Sequence, residues 1–171
     1  ILPVHLYGYP VDMRELMKIA KKYNLIVIED CAEAIGSQRD GLHVGTFGDA
    51  AIFSFFANKS ITTGEGGIIT TNNEDLYLKL IKLRTHGIAK NDQPVQNEIL
   101  GLTNGNRNAW YYEMQHLGFH YRLTEIQAAL GVSQMRKIDK FINKRRKVAR
   151  RYNKLLKKLS NMNLLINYFV Y

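Results

Sequence analysis

The sequence predicts an α/β fold, because helical and strand patterns alternate along its first half. Three observations carry the prediction. An amphipathic helical stretch is followed by the continuous apolar run Leu25–Ile28. Two further apolar runs, Ala51–Phe56 and Gly67–Thr71, have strand length. Between and after them lie Asp, Asn and Thr residues placed to cap helices. With 171 residues, 46% apolar and 23% charged, the chain can bury a core of its own.

Taken in order, Asp12 can cap a first helix with Leu16, Ile19, Ala20 and Tyr23 on one face. Leu25-Ile26-Val27-Ile28 then reads as a strand buried on both faces, ending at Glu29-Asp30. The runs 51–56 and 67–71 are the next strands. Asn72 or Asn73 caps a second helix, with Glu74 and Asp75 in its first turn and Leu76, Leu80 and Leu83 inward. His86-Gly87 marks its end. From Ile88 to Trp110 the chain is polar and aperiodic, which predicts a functional or disordered loop. Thr124 with Glu125 opens a helix carrying Ile126, Ala129, Leu130 and Ser133, which runs with little break into a basic helix. The final run Leu164–Tyr171 reads as a strand that stops mid-sheet, and the first residues read as the edge of a buried strand. Both ends suggest a piece of something larger.

The net charge of +9 is uneven: twelve of the 24 Lys and Arg lie between Arg136 and Lys158, against the single acid Asp139. Ile138, Phe141, Val148, Tyr152, Leu155 and Leu159 form one apolar stripe along that stretch. A nucleic-acid or anionic-membrane helix is one reading. A solvated connecting helix is favoured, because neither a stacking platform nor a nucleic-acid motif accompanies the charge. The apolar runs are too short to cross a bilayer, the start lacks a signal-peptide pattern, and one cysteine excludes an intrachain disulfide. The expectation is a cytoplasmic protein.

In α/β sheets ligands bind at the carboxyl ends of strands. Asp30 follows one apolar strand, Ser54–Lys59 leaves another, and the turn Thr62–Gly67 leads into a third. A lysine at the mouth of a buried strand is a poor packing choice, yet an amine nucleophile gains from that environment. Pyridoxal phosphate requires such a lysine, an acid for its ring nitrogen and donors for its phosphate. Lys59, Asp30 and Ser54 have those chemistries, although on spacing alone Asp30 could equally cap a helix. Cys31 reads as a small packing residue. His116 and His120 are four apart, but Gly118 between them argues against a helical metal pair.

The segments Ile28–Ala34, Gly45–Ala50, Phe53–Lys59 and Thr62–Gly67 resemble consecutive motifs of the nucleotide-sugar aminotransferases of DegT/StrS type. Val4–Gly8 and Leu117–Gly131 resemble the same family, and the resemblance covers nearly all of residues 1–155. Within it, Arg84–Ile88 and Trp110–Gln115 are most similar to the enzymes of pseudaminic-acid synthesis, with the perosamine-type enzymes as near neighbours. The resemblance implies part of a fold type I pyridoxal-phosphate aminotransferase, with a mixed, mostly parallel sheet and flanking helices. Residues 1–135 would belong to the large cofactor domain, and 136–171 to the connecting basic helix and the start of a small domain.

The resemblance also implies roles. Lys59 would be the Schiff-base lysine and proton shuttle, and Asp30 the partner of the pyridinium nitrogen. Glu33 stands where Gln is usual, against the phenolic oxygen, and Ser54 would bind the phosphate. His120 stands where Asn is common and would reach the neighbouring subunit's cofactor. Tyr9 stands where Gln or Asn is frequent. The implied substrates are a nucleotide-linked 4-keto-6-deoxy sugar and an amino-acid donor, glutamate by expectation. The implied assembly is a homodimer with shared sites. The rival readings are a non-catalytic remnant and a basic nucleic-acid- or anion-binding module.

Overall fold

A computed structural model describes residues 1–89 and 94–156. These form two compact units, residues 1–72 with the segment from Leu123 onward, and residues 73–122. The Leu164–Tyr171 run and Leu159 of the basic stripe lie outside the described residues, as do residues 90–93 of the polar stretch.

In the first unit a 3-10 turn, Leu6–Gly8, precedes helix α1 (Met13–Lys22). Asp12 caps α1 as expected, its carboxylate accepting the Glu15 N–H at 3.3 Å. The buried stripe differs from expectation. Met13 and Ala20 are buried with Leu16 and Met17 beside them, whereas Ile19 and Tyr23 face solvent. The stripe thus follows the 13, 16/17, 20 row, which packs on Val27 and Phe47.

Strand β1 covers Ile28–Asp30 rather than 25–28, and Leu25 and Ile26 are exposed. A buried apolar run was the expected signal, yet the strand continues through two acids because contacts distant in sequence satisfy Glu29. The short strands β2 (Gln38–Arg39) and β3 (Leu42–His43) pair antiparallel. Strands β4 (Ala50–Ser54) and β5 (Gly67–Thr70) complete a mixed sheet of order β1-β4-β5. β1 and β4 are parallel, with Asp30 opposite Ile52, while β4 and β5 are antiparallel. Residues 1–5 run alongside β1: Ile28 and Asp30 donate to Ile1 and Pro3 carbonyls, and Val4 bridges Asp30 in parallel. Cys31, Ala34, Val44 and Ala51 form the core behind this sheet, with Phe53 against them.

The second unit opens with α2 (Glu74–Leu83), which Asn73 caps by accepting the Leu76 N–H at 2.9 Å. Leu76, Leu80 and Leu83 are half-buried, as the pattern required. α2 stops at Leu83, and the left-handed pair His86 (φ 57°) and Gly87 (φ 64°) follows, Gly87 donating to the Lys82 carbonyl. Gly87 is needed here twice over. Its φ is positive, and a Cβ would collide with the His116 carbonyl that lies against the turn.

The polar stretch is not an unstructured loop. It contains β6 (Ile88–Ala89), α3 (Glu98–Gly101), β7 (Leu102–Thr103) and β8 (Asn106–Arg107). β7 and β8 form a hairpin turned by the Asn-Gly pair Asn104 (φ 51°) and Gly105 (φ 76°). β9 (Glu113–Met114) returns to pair with β6.

The chain then re-enters the first unit. α4 (Glu125–Met135) begins in a capping box between Thr124 and Gln127. Of the residues named on this helix, Ile126, Ala129 and Leu130 are exposed, and the sheltered side is Gln127, Ala128, Gly131 and Ser133. Gln127 explains this, reaching the Glu65 carbonyl at 3.0 Å, while Gly131 lies close to the Thr63 methyl. α5 (Ile138–Leu156) carries the basic run. Ile138, Phe141 and Ile142 are half-buried, but Val148, Tyr152 and Leu155 are exposed, so the apolar stripe fades after the second turn. Among the described residues no helix is long and apolar enough to cross a membrane.

Behind β1 a buried polar pair ties the unit together. Glu29 and His5 have fully buried side chains 3.1 Å apart. Burial pushes the Glu29 carboxyl up, but the His5 ring and the N–H groups of Gly48, Gly45 and Phe47 outweigh it and hold it below its ordinary 4.5. A depressed folded value stabilises the fold above the unfolded value and loses that stabilisation as pH falls through the folded one. Acid titration followed by circular dichroism should therefore show stability declining below pH 4.5, and declining less steeply in Glu29→Gln. Identical acid limbs for the two proteins would contradict this.

Candidate active site

Because β1 and β4 are parallel neighbours, their carboxyl ends open on the same edge of the sheet. Asp30 ends β1, half-buried, and its carboxylate accepts the Ala32 N–H at 3.0 Å, as an Asx turn does. Ser54 ends β4, where its Oγ accepts the Phe56 N–H at 3.2 Å. An acceptor bond of this kind leaves the hydroxyl proton to be donated elsewhere.

Lys59 sits in the turn that leaves β4, its N–H bonded to the Phe56 carbonyl at 3.1 Å. Its ammonium meets Glu33 at 3.4 Å, with side-chain exposures of 20% and 37%. The lysine is therefore sheltered yet reachable, as a reacting amine must be. Glu33 also accepts the Tyr7 N–H at 2.9 Å, so one carboxylate joins the lysine to the 3-10 turn. Tyr7 is itself left-handed, with φ 54°.

The turn after Lys59 is tightly laced. Thr62 Oγ1 donates to the Phe55 carbonyl at 3.1 Å and accepts the Gly64 N–H at 2.9 Å. Thr63 Oγ1 donates to the Glu65 carbonyl at 2.7 Å. Gly66, at φ 146°, brings its carbonyl to the Phe55 N–H at 2.9 Å, and a Cβ there would sit 2.6 Å from Thr63 Oγ1. No side chain fits that approach.

Sequence reasoning missed Arg145. From α5, its guanidinium donates to the Lys59 carbonyl at 3.3 Å, which places the basic helix at the back of the lysine turn. Nothing local marks this residue among seven basic neighbours. Cys31, next to Asp30, is buried and its thiol is pushed up to about 12 by burial and by Glu29 and Asp30, which suits a packing residue.

His5, Glu29 and Cys31 place potential ligand atoms within 4.8 Å of one another. Both Glu29 oxygens and both His5 nitrogens are already hydrogen-bonded, so this cluster is a satisfied network. A separate cleft of about 720 Å³, lined by Ile35, Val44, Phe53, Thr71, Ile142 and Arg146 among others, contains none of Lys59, Asp30, Glu33 and Ser54.

His120, the remaining expected site residue, belongs to the second unit. It bridges Thr85, and its ring stacks edge-on against His86 at 5.4 Å. Phe119 and Tyr121 on either side lace the segment to α2, donating to the carbonyls of Leu83 and Arg84.

The profile of the DegT/DnrJ/EryC1/StrS aminotransferase family matches residues 1–167. The chain belongs to that family. Among DegT-family relatives, the GDP-perosamine synthase of Escherichia coli O157:H7 is 43% identical over 159 residues, 93% of this chain and 39% of that protein. PseC of Helicobacter pylori, an aminotransferase of pseudoaminic acid biosynthesis, matches in structure with a TM-score of 0.80 and 34% identity, over 92% of this chain and 38% of PseC. The PLP form of the putative sugar aminotransferase Spr1654 from Streptococcus pneumoniae matches with a TM-score of 0.74 and 25% identity, over 92% and 41%. The architecture is thus part of a fold type I aminotransferase. The chain spans about two fifths of the length of these relatives.

Proposed function

We propose that the protein aminates the keto carbon of a nucleotide-linked 4-keto-6-deoxy sugar, taking the amino group from an amino acid, with glutamate as donor. The observation that carries this reading is Lys59: a sheltered amine beside Glu33, in the turn leaving the strand next to the one that ends in Asp30.

The donor set fits pyridoxal phosphate. The group supplies an electron sink for carbanion charge when bound. Lys59 would hold it covalently and then carry a proton on Nζ between substrate and cofactor carbons. Asp30, steadied by the Ala32 N–H, would keep the ring nitrogen protonated. Ser54 would donate its hydroxyl proton to the phosphate, and Glu33 would lie against the phenolic oxygen. The 62–67 turn, packed under α4, keeps the lysine loop from moving away.

His120 would serve the partner subunit of a homodimer, reaching its cofactor phosphate. Residues 1–135 would form part of the large cofactor domain, and 136–171 the link to a small one. Cytoplasmic residence agrees with a single buried thiol. The UDP-linked N-acetylaminohexose used in pseudaminic-acid synthesis is the favoured substrate, supported by the likeness to PseC; the GDP-linked sugar is the next.

The test is amination by the intact gene product of each 4-keto sugar with glutamate, followed by mass spectrometry of the nucleotide sugar. A gain of the 4-amino product with the UDP substrate is expected, and a mixture of Lys59→Ala and His120→Ala chains should regain part of that activity. No product with either sugar would refute the substrate assignment. No recovery in confirmed mixed dimers would refute the shared site.

A further inference from the structure

The geometry points to His5 and Glu29 as positioning residues, a buried imidazole–carboxylate pair that sets both Asp30 and the Lys59 partner Glu33. The inference rests on reading the Asp30 edge as the cofactor site.

Glu29 Oε1 accepts the N–H groups of Phe47 and Gly48, both at 2.8 Å. Glu29 Oε2 accepts the Gly45 N–H at 2.8 Å and meets His5 Nε2 at 3.1 Å. His5 Nδ1 accepts the Val11 N–H at 3.1 Å, so that nitrogen bears no proton. The ring is then neutral, with its proton on Nε2 donated to Glu29. Both side chains are fully buried, and every acceptor site has a named donor.

Two links run from this pair to the site. Neighbouring residues on a strand project to opposite faces, so Glu29 anchors β1 from behind while Asp30 faces the other way. The His5 N–H also donates to the Asp30 carbonyl at 3.0 Å. The second link runs along the chain. Two residues after His5, the Tyr7 N–H holds Glu33 at 2.9 Å, and Glu33 holds Lys59 at 3.4 Å. A pair that served folding alone could be replaced by apolar residues of similar volume. This one instead ties residue 5, the β1 strand, the 45–48 loop and Val11, just before α1, to one point; Asp30 follows Glu29 directly, and the Tyr7 N–H that holds Glu33 lies two residues beyond His5.

The test is amide hydrogen exchange by NMR on the full chain without cofactor, comparing the parent with Glu29→Gln. Ala32 N–H reports on Asp30, Tyr7 N–H on Glu33, and Leu76 N–H, capped by Asn73, is the control. Exchange at Ala32 and Tyr7 should rise at least about tenfold with Leu76 unchanged. Added pyridoxal phosphate should then give the altered visible absorption that Asp30→Asn gives. Parent-like exchange and absorption in a folded Glu29→Gln would overturn the inference. Should that variant not fold, His5→Gln, which keeps a donor and an acceptor, should protect Ala32 and Tyr7 while His5→Leu should not; equal exchange in those two would overturn it as well. An unchanged spectrum in Asp30→Asn, with exchange still responding to Glu29→Gln, would remove the cofactor reading and leave the positioning intact.

Discussion

Lys59→Ala is expected to lower turnover of the intact gene product by at least about ten-thousandfold, since in the proposed function this residue would be both the covalent attachment and the proton carrier. The fold should survive. The Lys59 side chain is a fifth exposed and pairs with Glu33, itself more than a third exposed, so little packing is lost. Circular dichroism and thermal unfolding should match the parent, which separates a chemical loss from a structural one. Added small amines should restore part of the proton transfer if Lys59 is the proton carrier. Residual turnover within about a hundredfold of the parent would show that another group moves the proton.

Asp30→Asn has the second largest expected effect, a loss of about a thousandfold in rate. Asn is nearly the same size and can still accept the Ala32 N–H through its side-chain oxygen, so the turn that starts at Asp30 should persist. Only the charge is removed. An amide cannot hold a proton on the ring nitrogen, and an unprotonated ring is a poor electron sink. The defect should appear in kcat more than in KM, because the proposed role of Asp30 is toward the ring nitrogen and not the substrate. Activity within about tenfold of the parent would give Asp30 a purely structural part, closing the Asx turn.

Much of this site is legible in the sequence because its signals are local. Asp12, Asn73 and Thr124 cap the helices they precede, and each cap is a contact over three residues. The short apolar runs locate β4 and β5 but place the β4 end at Phe56 rather than Ser54, and the resemblance to DegT-type motifs singles out Lys59. What the pattern could not show depends on partners far along the chain. β1 extends through Glu29 because donors from residues 5 and 45–48 satisfy it. α4 turns its polar side inward because Gln127 meets Glu65, 62 residues away. Arg145 is one of many bases in α5, and only the fold brings it to the Lys59 carbonyl. The 88–110 stretch is a different kind of miss. Asn104-Gly105 is a local hairpin signal, lost because its flanking strands are two residues long and carry no period.

If Lys59 is the amine that holds the cofactor, peptide mapping should find the cofactor on it. The parent chain is mixed with pyridoxal phosphate, reduced with borohydride, digested and read by tandem mass spectrometry. One dominant adduct is expected, on Lys59, formed in preference to the lysines of α5 and absent when the chain is unfolded by denaturant beforehand. Adducts spread over the exposed lysines of α5, with Lys59 unmodified, would contradict it.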